Sequence, residues 1–302
     1  TIMTTGYPSP TKNPGGCLYL VGTPIGNLED ITLRALRTLK EVDLIACEDT
    51  RLTQKLLNHY DIHTPTISYH EHNEMVRAPE LVLELEQGMK VALVADAGMP
   101  AISDPGHHLI SLALRHGIPV VPIPGASAFV AALVASGLPT DVFRFVGFLP
   151  ARRTSRRKAI KEMSGSPSTL IFFEAPRRLR ETLHDLLELL DDRQAVIARE
   201  VTKVHEEFLR GHLAQLLAEL KDRELKGELT LLVAPAEKEK KRPGRRPRAA
   251  SSSSAHISQR VAQLQRQRGL DLKAALKIVA RELGLSRDEV YRRLQEERAL
   301  DN

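Results

Sequence analysis

Short apolar runs alternate with amphipathic stretches along residues 16–236 of this 302-residue chain. The runs are continuous, as in strands buried on both faces, and the longer stretches carry apolar residues at helical spacing. The pattern predicts strands at 16–22, 43–47, 66–69, 90–95 and 119–123, and then at 143–148, 168–174, 195–200 and 227–233. Helices are predicted between the strands, for example at 79–87 and 179–190.

The order of these elements predicts an α/β fold with two domains, 16–136 and 137–236. In the first domain a helix follows each strand, which favours a parallel sheet. In the second domain a short edge element near residue 208 interrupts that order and favours a mixed sheet. Residues 1–15 are polar and contain three prolines, so a disordered tail is expected there rather than a secretory signal.

Residues 237–255 change in composition to lysine, arginine, proline and serine, which predicts a linker. Beyond the linker, 256–302 shows three short amphipathic segments, which predict a small helical domain of helix-turn-helix type with Ser286 as a helix cap. Its predicted core consists of Ala275, Ile278, Val279, Leu283, Val290 and Leu294. Arginines on the last segment favour contact with nucleic acid, and the alternative is a helical packing module.

A loop rich in glycine and proline, 96–106, follows the predicted strand 90–95 and leads into a helix. Ligands bind outside the carboxyl ends of strands in open α/β sheets, so this loop is a candidate binding site. The alternative is an ordinary strand-to-helix turn. Three further loops, 23–27, 48–51 and 124–128, also follow predicted strands. In a parallel sheet all four loops lie at one edge, which favours a shared ligand cleft.

Composition and spacing exclude several classes of protein. No apolar run reaches the roughly 18 residues that a membrane-spanning helix needs. The first loop contains only Gly22 and Gly26, so the dinucleotide fingerprint is absent and a nicotinamide or flavin site is rejected. His70 and His72 lie on opposite faces of an extended segment and the two cysteines lack metal-ligand spacing, so no metal site is expected. Reduced cysteines are the default in a cytoplasmic protein.

Charge adds a further indication. The chain carries a net charge of +5, and basic clusters occur at 152–161 and 238–248. One such cluster is explained by a solvated surface, whereas two make a polyanionic partner more plausible. Two carboxylates, a hydroxyl and a guanidinium at 48–51 end the second predicted strand, where the alternative is the acidic first turn of a helix.

Six motifs in combination resemble those of one known family. They are Thr-Pro-Ile-Gly-Asn-Leu at 23–28, Glu-Asp-Thr-Arg at 48–51, Asp-Ala-Gly-Met-Pro at 96–100, Ser-Asp-Pro-Gly at 103–106, Pro-Gly-Ala-Ser-Ala at 124–128 and Ala-Arg-Glu-Val-Thr-Lys at 198–203. The set is similar to that of bacterial small-subunit (16S) ribosomal RNA ribose-2′-O-cytidine methyltransferases, which are class III, tetrapyrrole-methylase-like, S-adenosylmethionine-dependent enzymes. Met99, Ala126 and Val201 stand where that pattern usually has threonine, proline and leucine.

The resemblance implies that S-adenosylmethionine is held in a cleft between the two α/β domains. The implied contacts from the first domain are Pro24, Asp96, Gly98, Met99, Ile102, Ser103, Ser127 and Ala128. Those from the second domain are Phe172, Phe173, Ala198 and Glu228. Ile102 and the two phenylalanines can supply apolar walls, and nearby carboxylates favour a cationic sulfonium.

Methyl transfer to a ribose hydroxyl needs in-line alignment and a base that takes the hydroxyl proton. The candidate carboxylates are Glu48, Asp49, Glu174 and Glu200, and Lys203 qualifies only if its pKa is lowered. Glu200 is the first choice because it ends a strand that faces the predicted cleft, with Glu48 and Lys203 as further catalytic candidates. The alternative for Glu200 is a structural ion pair with its basic neighbours.

The substrate that the resemblance implies is a cytidine in the decoding region of 16S ribosomal RNA, within an assembled small subunit. The predicted RNA contacts, for which surface solvation is the alternative, are Arg51, Arg152, Arg153, Arg177, Arg178, Arg292 and Arg293. The family also implies a cytoplasmic homodimer without a membrane partner. Two other functions stay open: a class III methylase acting on a small molecule such as a tetrapyrrole, and a non-catalytic RNA-binding assembly factor.

Overall fold

The structure is a computed structural model that describes residues 15–236, 257–283 and 287–300. The chain forms two compact units, Thr1–Ala236 and Glu237–Asn302. Among the described residues, no helix is long and apolar enough to cross a membrane. The first unit contains two five-stranded sheets, and the second contains helices.

The first sheet is fully parallel and has the strand order β3-β2-β4-β1-β5. Its strands are β1 (Cys17–Val21), β2 (Leu44–Cys47), β3 (Thr66–Ser68), β4 (Lys90–Val94) and β5 (Val120–Ile123). The helices of this part are α1 (Leu33–Glu41), α2 (Thr50–His59), α3 (Glu74–Glu86), α4 (His107–Arg115) and α5 (Ala128–Ser136). Buried apolar clusters cover both faces of the sheet, which explains why its strands read as continuous apolar runs.

Helix α3 begins at Glu74, five residues before the start predicted at Pro79. The predicted start was wrong. Proline is favoured in the first turn of a helix, so the pattern predicts a start at Pro79, but this residue lies inside α3. The chain before the helix is held by Asn73, whose side chain accepts a hydrogen bond from the His70 N–H at 2.9 Å and donates one to the Ser68 carbonyl at 3.1 Å. A turn anchored in this way allows the helix to start early.

The second sheet is mixed and has the order β6-β7-β10-β8-β9, in which only β6 and β7 pair in parallel. Its strands are β6 (Phe143–Phe148), β7 (Thr169–Glu174), β8 (Gln194–Arg199), β9 (Glu207–His212) and β10 (Leu229–Val233). Its helices are α6 (Arg153–Glu162), α7 (Pro176–Leu190) and α8 (Leu213–Glu219). The predicted parallel and mixed sheets are therefore confirmed.

Helix α5 follows the first sheet in sequence but packs on the second. Its buried Ala132 and Leu133 join one apolar cluster with Ile171, Val196 and Leu232 of the second sheet. Helices α7 and α8 cover the other face of that sheet through a larger cluster. Helix α5 therefore covers part of one face of the second sheet, and the rest of that face is directed toward the first sheet.

A buried ion pair joins α6 to α7. Arg156 donates to Asp185 with an Nε–Oδ2 distance of 2.8 Å, and each side chain is only 1% exposed. Arg153 and Arg157 also contact the Asp185 carboxylate, at 3.3 and 2.9 Å. The basic cluster that predicted a polyanion-binding surface is therefore partly internal, because these three arginines contact acidic side chains of α7.

In its described residues the second unit contains α9 (Ile257–Arg268), α10 (Leu272–Leu283) and α11 (Arg287–Leu300). Its core includes four of the predicted residues, Ala275, Val279, Val290 and Leu294, with Ile278 partly buried against them. The side chain of Leu283 and the whole of Ser286 lie outside the described part of the chain.

Candidate active site

The loops at the carboxyl ends of β1 and β4 are joined directly. Thr23 and Gly98 exchange two backbone hydrogen bonds, at 2.9 and 3.1 Å, and form an isolated bridge between the two loops. The Thr23 hydroxyl also donates to the Ala95 carbonyl at 3.1 Å. The 96–106 segment, here called the central loop, is thereby fixed to the first loop, as the parallel connectivity predicts.

A cleft of about 400 Å³ lies between the carboxyl edge of the first sheet and one face of the second. Nine of the predicted cofactor contacts line it: Gly98, Met99, Ile102, Ser103, Ser127, Ala128, Phe173, Ala198 and Glu228. Two of the three departures from the family pattern, Met99 and Val201, also line it. Its size and its apolar walls suit a small-molecule ligand.

Three predicted contacts lie elsewhere. Phe172 is fully buried in the cluster beneath α7, because successive side chains of a strand point to opposite faces and Phe173 takes the cleft side. Pro24 is buried outside the cleft lining. Asp96 is exposed and accepts a hydrogen bond from the Asp49 N–H at 2.9 Å, so it joins the loops after β2 and β4 instead of lining the cleft.

Backbone strain concentrates at the cleft. Six described residues other than glycine have a positive φ, and four of them lie in the two loops that face each other across the cleft. They are Ala101 (φ 66°) and Ser103 (φ 65°) in the central loop, and Glu200 (φ 49°) and Thr202 (φ 72°) after β8. Residues in this conformation persist where the surrounding structure holds them, most often at ligand sites.

Sequence reasoning omitted several lining residues. They are Ile25, Ala97, Asp104, Phe129, Phe148, Ala175, Pro176, Val201, Gly227, Leu229 and Thr230. Glu174, which the sequence predicted as a candidate base, also lines the cleft. Phe148 and Phe173 lie with their ring centroids 5.7 Å apart, forming part of one aromatic wall. The signal for Phe148 was its position at the end of a strand that pairs in parallel with β7, so its side chain emerges at the same edge.

Two of the lining carboxylates are engaged in the fold. Glu174 accepts hydrogen bonds from the Thr182 hydroxyl at 2.5 Å and the Ala175 N–H at 2.8 Å. Glu228 lies 3.2 Å from Lys203 Nζ. Both acids therefore already hold hydrogen-bond or charge partners.

Glu200 and Lys203 form the ion pair that was the alternative to a catalytic role. Their Oε1 and Nζ atoms lie 3.0 Å apart, and Glu200 Oε1 also accepts the Glu228 N–H at 2.8 Å. The backbone hydrogen bond from Glu228, together with Lys203, holds the pKa of Glu200 below its usual value. Burial opposes the charge of Lys203, but its hydrogen bond to Glu200 and the charge of Glu228 raise its pKa. The lowered pKa makes Glu200 a weaker base, and the raised pKa keeps Lys203 protonated and unable to accept a proton at neutral pH.

The acids at the edge of the first sheet behave differently. Burial, followed by the charges of Glu48 and Asp96, raises the pKa of Asp104 to about 6. Burial, followed by the charge of Asp96, also raises the pKa of Glu48, which lies outside the cleft lining. Carboxylates gathered in a partly desolvated edge create a negative potential that favours a cationic ligand.

The predicted RNA contacts divide into exposed and engaged groups. Arg51 is 87% exposed and makes a two-point ion pair with Asp49, and Arg152 and Arg177 are exposed. Arg178 differs from the prediction, because it donates to the Leu149 and Pro150 carbonyls at 2.7 and 3.0 Å and so supports the chain after β6.

Of the remaining predicted RNA contacts, two form ion pairs with acidic side chains and one lies outside the described side chains. Arg153 remains 64% exposed but contacts Asp185, as described above. Arg292, in the second unit, pairs with Glu289 at 2.8 Å. The side chain of Arg293 lies outside the described residues.

A possible metal cluster is explained by its cationic neighbours. Ligand atoms of His184, Asp185 and Glu188 lie within 4.8 Å of one another. Asp185 is held by three arginines, and Glu188 also contacts Arg157. The two carboxylates therefore form ion pairs that join α6 to α7, which explains why they lie close together.

A parallel sheet that meets a mixed sheet around an apolar cleft defines a two-sheet α/β protein with a small-molecule site. Residues 17–217 match the sequence profile of the tetrapyrrole (corrin/porphyrin) methylases, and the chain belongs to this family. A crystal structure of uroporphyrin III C-methyltransferase from Thermus thermophilus has a similar fold, with a TM-score of 0.53 and 22% identity. The match covers 72% of this chain and 97% of that one.

Curated relatives are considerably closer in sequence. A protein from Halalkalibacterium halodurans, named ribosomal RNA small subunit methyltransferase I, is 48% identical over 280 residues, which are 93% of this chain and 95% of the relative. A relative of the same name from Synechocystis is 45% identical, over 91% of this chain and 96% of its own. One from Thermotoga maritima is 48% identical over 222 residues, which are 74% of this chain and 100% of the relative.

Proposed function

We propose that the protein is an S-adenosylmethionine-dependent methyltransferase that methylates the ribose 2′-hydroxyl of a cytidine in the decoding region of 16S ribosomal RNA. The observation that carries this proposal is the cleft, which combines apolar and aromatic walls with a strained backbone loop and an acidic edge. Family membership and relatives named as small-subunit rRNA methyltransferases support the reaction and the substrate class.

The residues of the cleft fit S-adenosylmethionine. Ile102, Phe148 and Phe173 offer apolar surface for an adenosyl group, and the backbone around Gly98 and Ser103 can approach a ligand closely. When bound, this donor supplies a methyl group on a cationic sulfonium, which leaves as a neutral thioether. The acidic edge formed by Glu48, Asp96 and Asp104 favours that cation over the neutral product.

An RNA substrate is supported by the exposed cations beside the cleft. Arg152 and Arg177 are exposed shortly after β6 and β7, whose ends line the cleft, and Arg51 is exposed at the start of α2. Guanidinium groups in such positions hold phosphates without reading sequence, while the 2′-hydroxyl distinguishes RNA from DNA. Because the proposed substrate is ribosomal RNA, the enzyme is proposed to act in the cytoplasm.

The Thermotoga relative bears on the role of the second unit. It is matched over its whole length by 222 residues, so it is no longer than the first unit of this chain. This supports a catalytic role for the first unit, with the helical unit adding RNA affinity as a tethered second contact.

Two other functions predict different results. A class III methylase for a small molecule transfers methyl groups to a tetrapyrrole and not to ribosomal subunits. A non-catalytic assembly factor binds subunits and transfers nothing. The basic exposed residues favour an RNA substrate over a small molecule.

The test is methyl transfer from labelled S-adenosylmethionine to small subunits purified from a strain lacking the protein, with free 16S RNA and a porphyrin precursor as parallel substrates. A ribose-methylation map should then show one added 2′-O-methylcytidine in the decoding region. Cofactor binding without transfer to subunits or to free RNA would exclude the proposed function.

A further inference from the structure

Three carboxylates line the cleft, and they differ in what they contact. Glu174 is held by Thr182 and the Ala175 N–H, and Glu228 is held by Lys203. Within the described residues, the carboxylate of Asp104 makes no hydrogen bond or ion pair. Asp104 is therefore the lining acid whose oxygens are available to a ligand.

Asp104 occupies a rigid position. It follows Ser103, whose backbone has a φ of 65°, and precedes Gly106, where a Cβ atom would lie 2.9 Å from Leu93 Cδ2. The central loop is also tied to the first loop through Gly98 and Thr23. A carboxylate carried by such a loop loses little further freedom on meeting a substrate, as a catalytic group requires.

We propose that Asp104 is the general base that takes the proton from the acceptor hydroxyl; this rests on the function proposed above. The hydroxyl oxygen forms a bond to the donor methyl carbon while the carbon–sulfur bond breaks, and the electron pair of that bond remains on sulfur. The hydroxyl proton moves to a carboxylate oxygen of Asp104, which later releases it to solvent. Charge balances, because the sulfonium cation and the carboxylate anion are both neutralised.

The surroundings suit this role. The acids nearest to Asp104 are Glu48, which follows β2, and Asp96, which follows β4. Glu174 and Glu228 line the cleft from the second sheet, on the wall opposite Asp104. Burial and the two nearer acids raise its pKa to about 6, so the group is ionised at neutral pH yet more basic than an exposed aspartate. Glu200 and Lys203 are weaker candidates because they neutralise each other.

The experiment compares the wild type with Asp104→Asn and Asp104→Glu, using single-turnover transfer to small subunits across a pH series. Loss of a general base should slow D104N by about 10²- to 10⁴-fold, and D104E should regain part of the rate. The wild-type rate should fall as pH drops below about 6, a dependence that D104N should lack. Asp61→Asn is the matched control, because Asp61 is exposed and its φ of 53° suits asparagine.

Two readouts do not depend on turnover. Affinity for S-adenosylhomocysteine, measured by calorimetry, should stay within about threefold of wild type in D104N. NMR titration of isotope-labelled aspartate in the ligand-free protein should show a resonance titrating near pH 6 that is missing in D104N. A D104N rate within about threefold of wild type, or a parallel loss of S-adenosylhomocysteine binding, overturns the base assignment but not the proposed function. No transfer by the wild type overturns both.

Discussion

Gly26 and Lys203 pack against each other across the two sheets: a Cβ atom on Gly26 would lie 2.3 Å from Lys203 Cγ. The aliphatic stem of Lys203 therefore lies on the first loop, while its Nζ reaches Glu200 at 3.0 Å and Glu228 at 3.2 Å in the second sheet. Ile25, next to Gly26, lines the cleft, as does Glu228. This contact between Gly26 and Lys203, here called the clasp, joins the first loop to the loop after β8 beside the cleft.

Replacing Gly26 with alanine should open the clasp. The new methyl group must displace the Lys203 stem, and the φ of +149° at this position adds strain for any side chain. We expect the affinity for S-adenosylhomocysteine to fall by about tenfold and the free energy of unfolding to fall by about 1–3 kcal/mol. Calorimetric titration and urea denaturation measure the two effects.

Gly117→Ala is the matched control for this substitution. Gly117 also has a positive φ, of +70°, but a Cβ atom there meets nothing within 4 Å, so it carries the strain without the contact. The double variant G26A/K203A should bind S-adenosylhomocysteine more tightly than the sum of the two single losses in binding free energy predicts, since the Lys203 side chain no longer obstructs the new methyl group. Strictly additive effects would show that the two residues are not coupled through the cleft.

Asp104→Asn should stabilise the protein at neutral pH while it lowers the rate. The pKa of Asp104 is raised to about 6 from 3.8, so the folded state favours the protonated form. Its contribution to stability is therefore full in acid and is lost as pH rises from about 4 through about 6. Because solvent in the cleft screens part of the penalty, we expect D104N to gain about 1 kcal/mol, or about 2–4 °C in Tm, at pH near 7.5.

Thermal unfolding near pH 4 and pH 7.5 measures this difference, which should be small at the lower pH and evident at the higher one. D61N should follow the wild type at both values, because its side chain is exposed. If D104N were less stable than wild type at neutral pH, Asp104 would be a structural residue of the central loop.

The sequence was informative about the first sheet for a physical reason. Parallel connectivity places every strand end at one edge, so loops such as 23–27 and 96–106 had to meet once the strands were correctly identified. It was less informative about β7, whose residues are nearly all buried. Without alternation between polar and apolar residues, no pattern shows that Phe173 faces the cleft and Phe172 the core.

Contacts between distant segments were also beyond the reach of sequence patterns. Lys203 meets Gly26 across 177 positions of the chain only because two separate sheets come together, and no spacing records this. Likewise, Arg153 and Arg156 read as a basic surface because their partner Asp185 lies on another helix. Asp104 belongs to the Ser-Asp-Pro-Gly motif of the central loop, but only the folded structure shows that its carboxylate makes no hydrogen bond or ion pair with the described residues.

Breaking the Arg156–Asp185 pair should be strongly destabilising. Burial opposes the charge of Asp185, but hydrogen bonds from Arg157, Arg156 and Arg153 hold its pKa below the usual value. Its contribution is therefore present above the ordinary aspartate pKa and is lost as pH falls through the lower folded value. We expect R156M and D185N each to lose about 3–5 kcal/mol at neutral pH, measured by urea denaturation.

The double variant R156M/D185N should lose less than the sum of the two, since neither buried charge is then left without its partner. Arg180→Met is the control, because Arg180 lies on the same helix as Asp185 but is exposed. A loss in R156M no larger than that in R180M would mean that the pair is not important for stability.

From the outer face of α5 we propose that the protein is a homodimer, as the family resemblance implies. α5 is apolar on all sides; its inner face packs on the second sheet, while Val130 and Val134, four residues apart, are 44% and 72% exposed. A helix that is apolar all round is normally buried on both sides. We expect Val134→Glu to shift the protein from dimer to monomer in light scattering, because the charge would be buried at a self-complementary contact. Val204→Glu is the control, since Val204 is 95% exposed in a loop after β8. A wild-type protein that is monomeric at micromolar concentration would contradict the dimer, and an unchanged dimer in V134E would place its interface elsewhere.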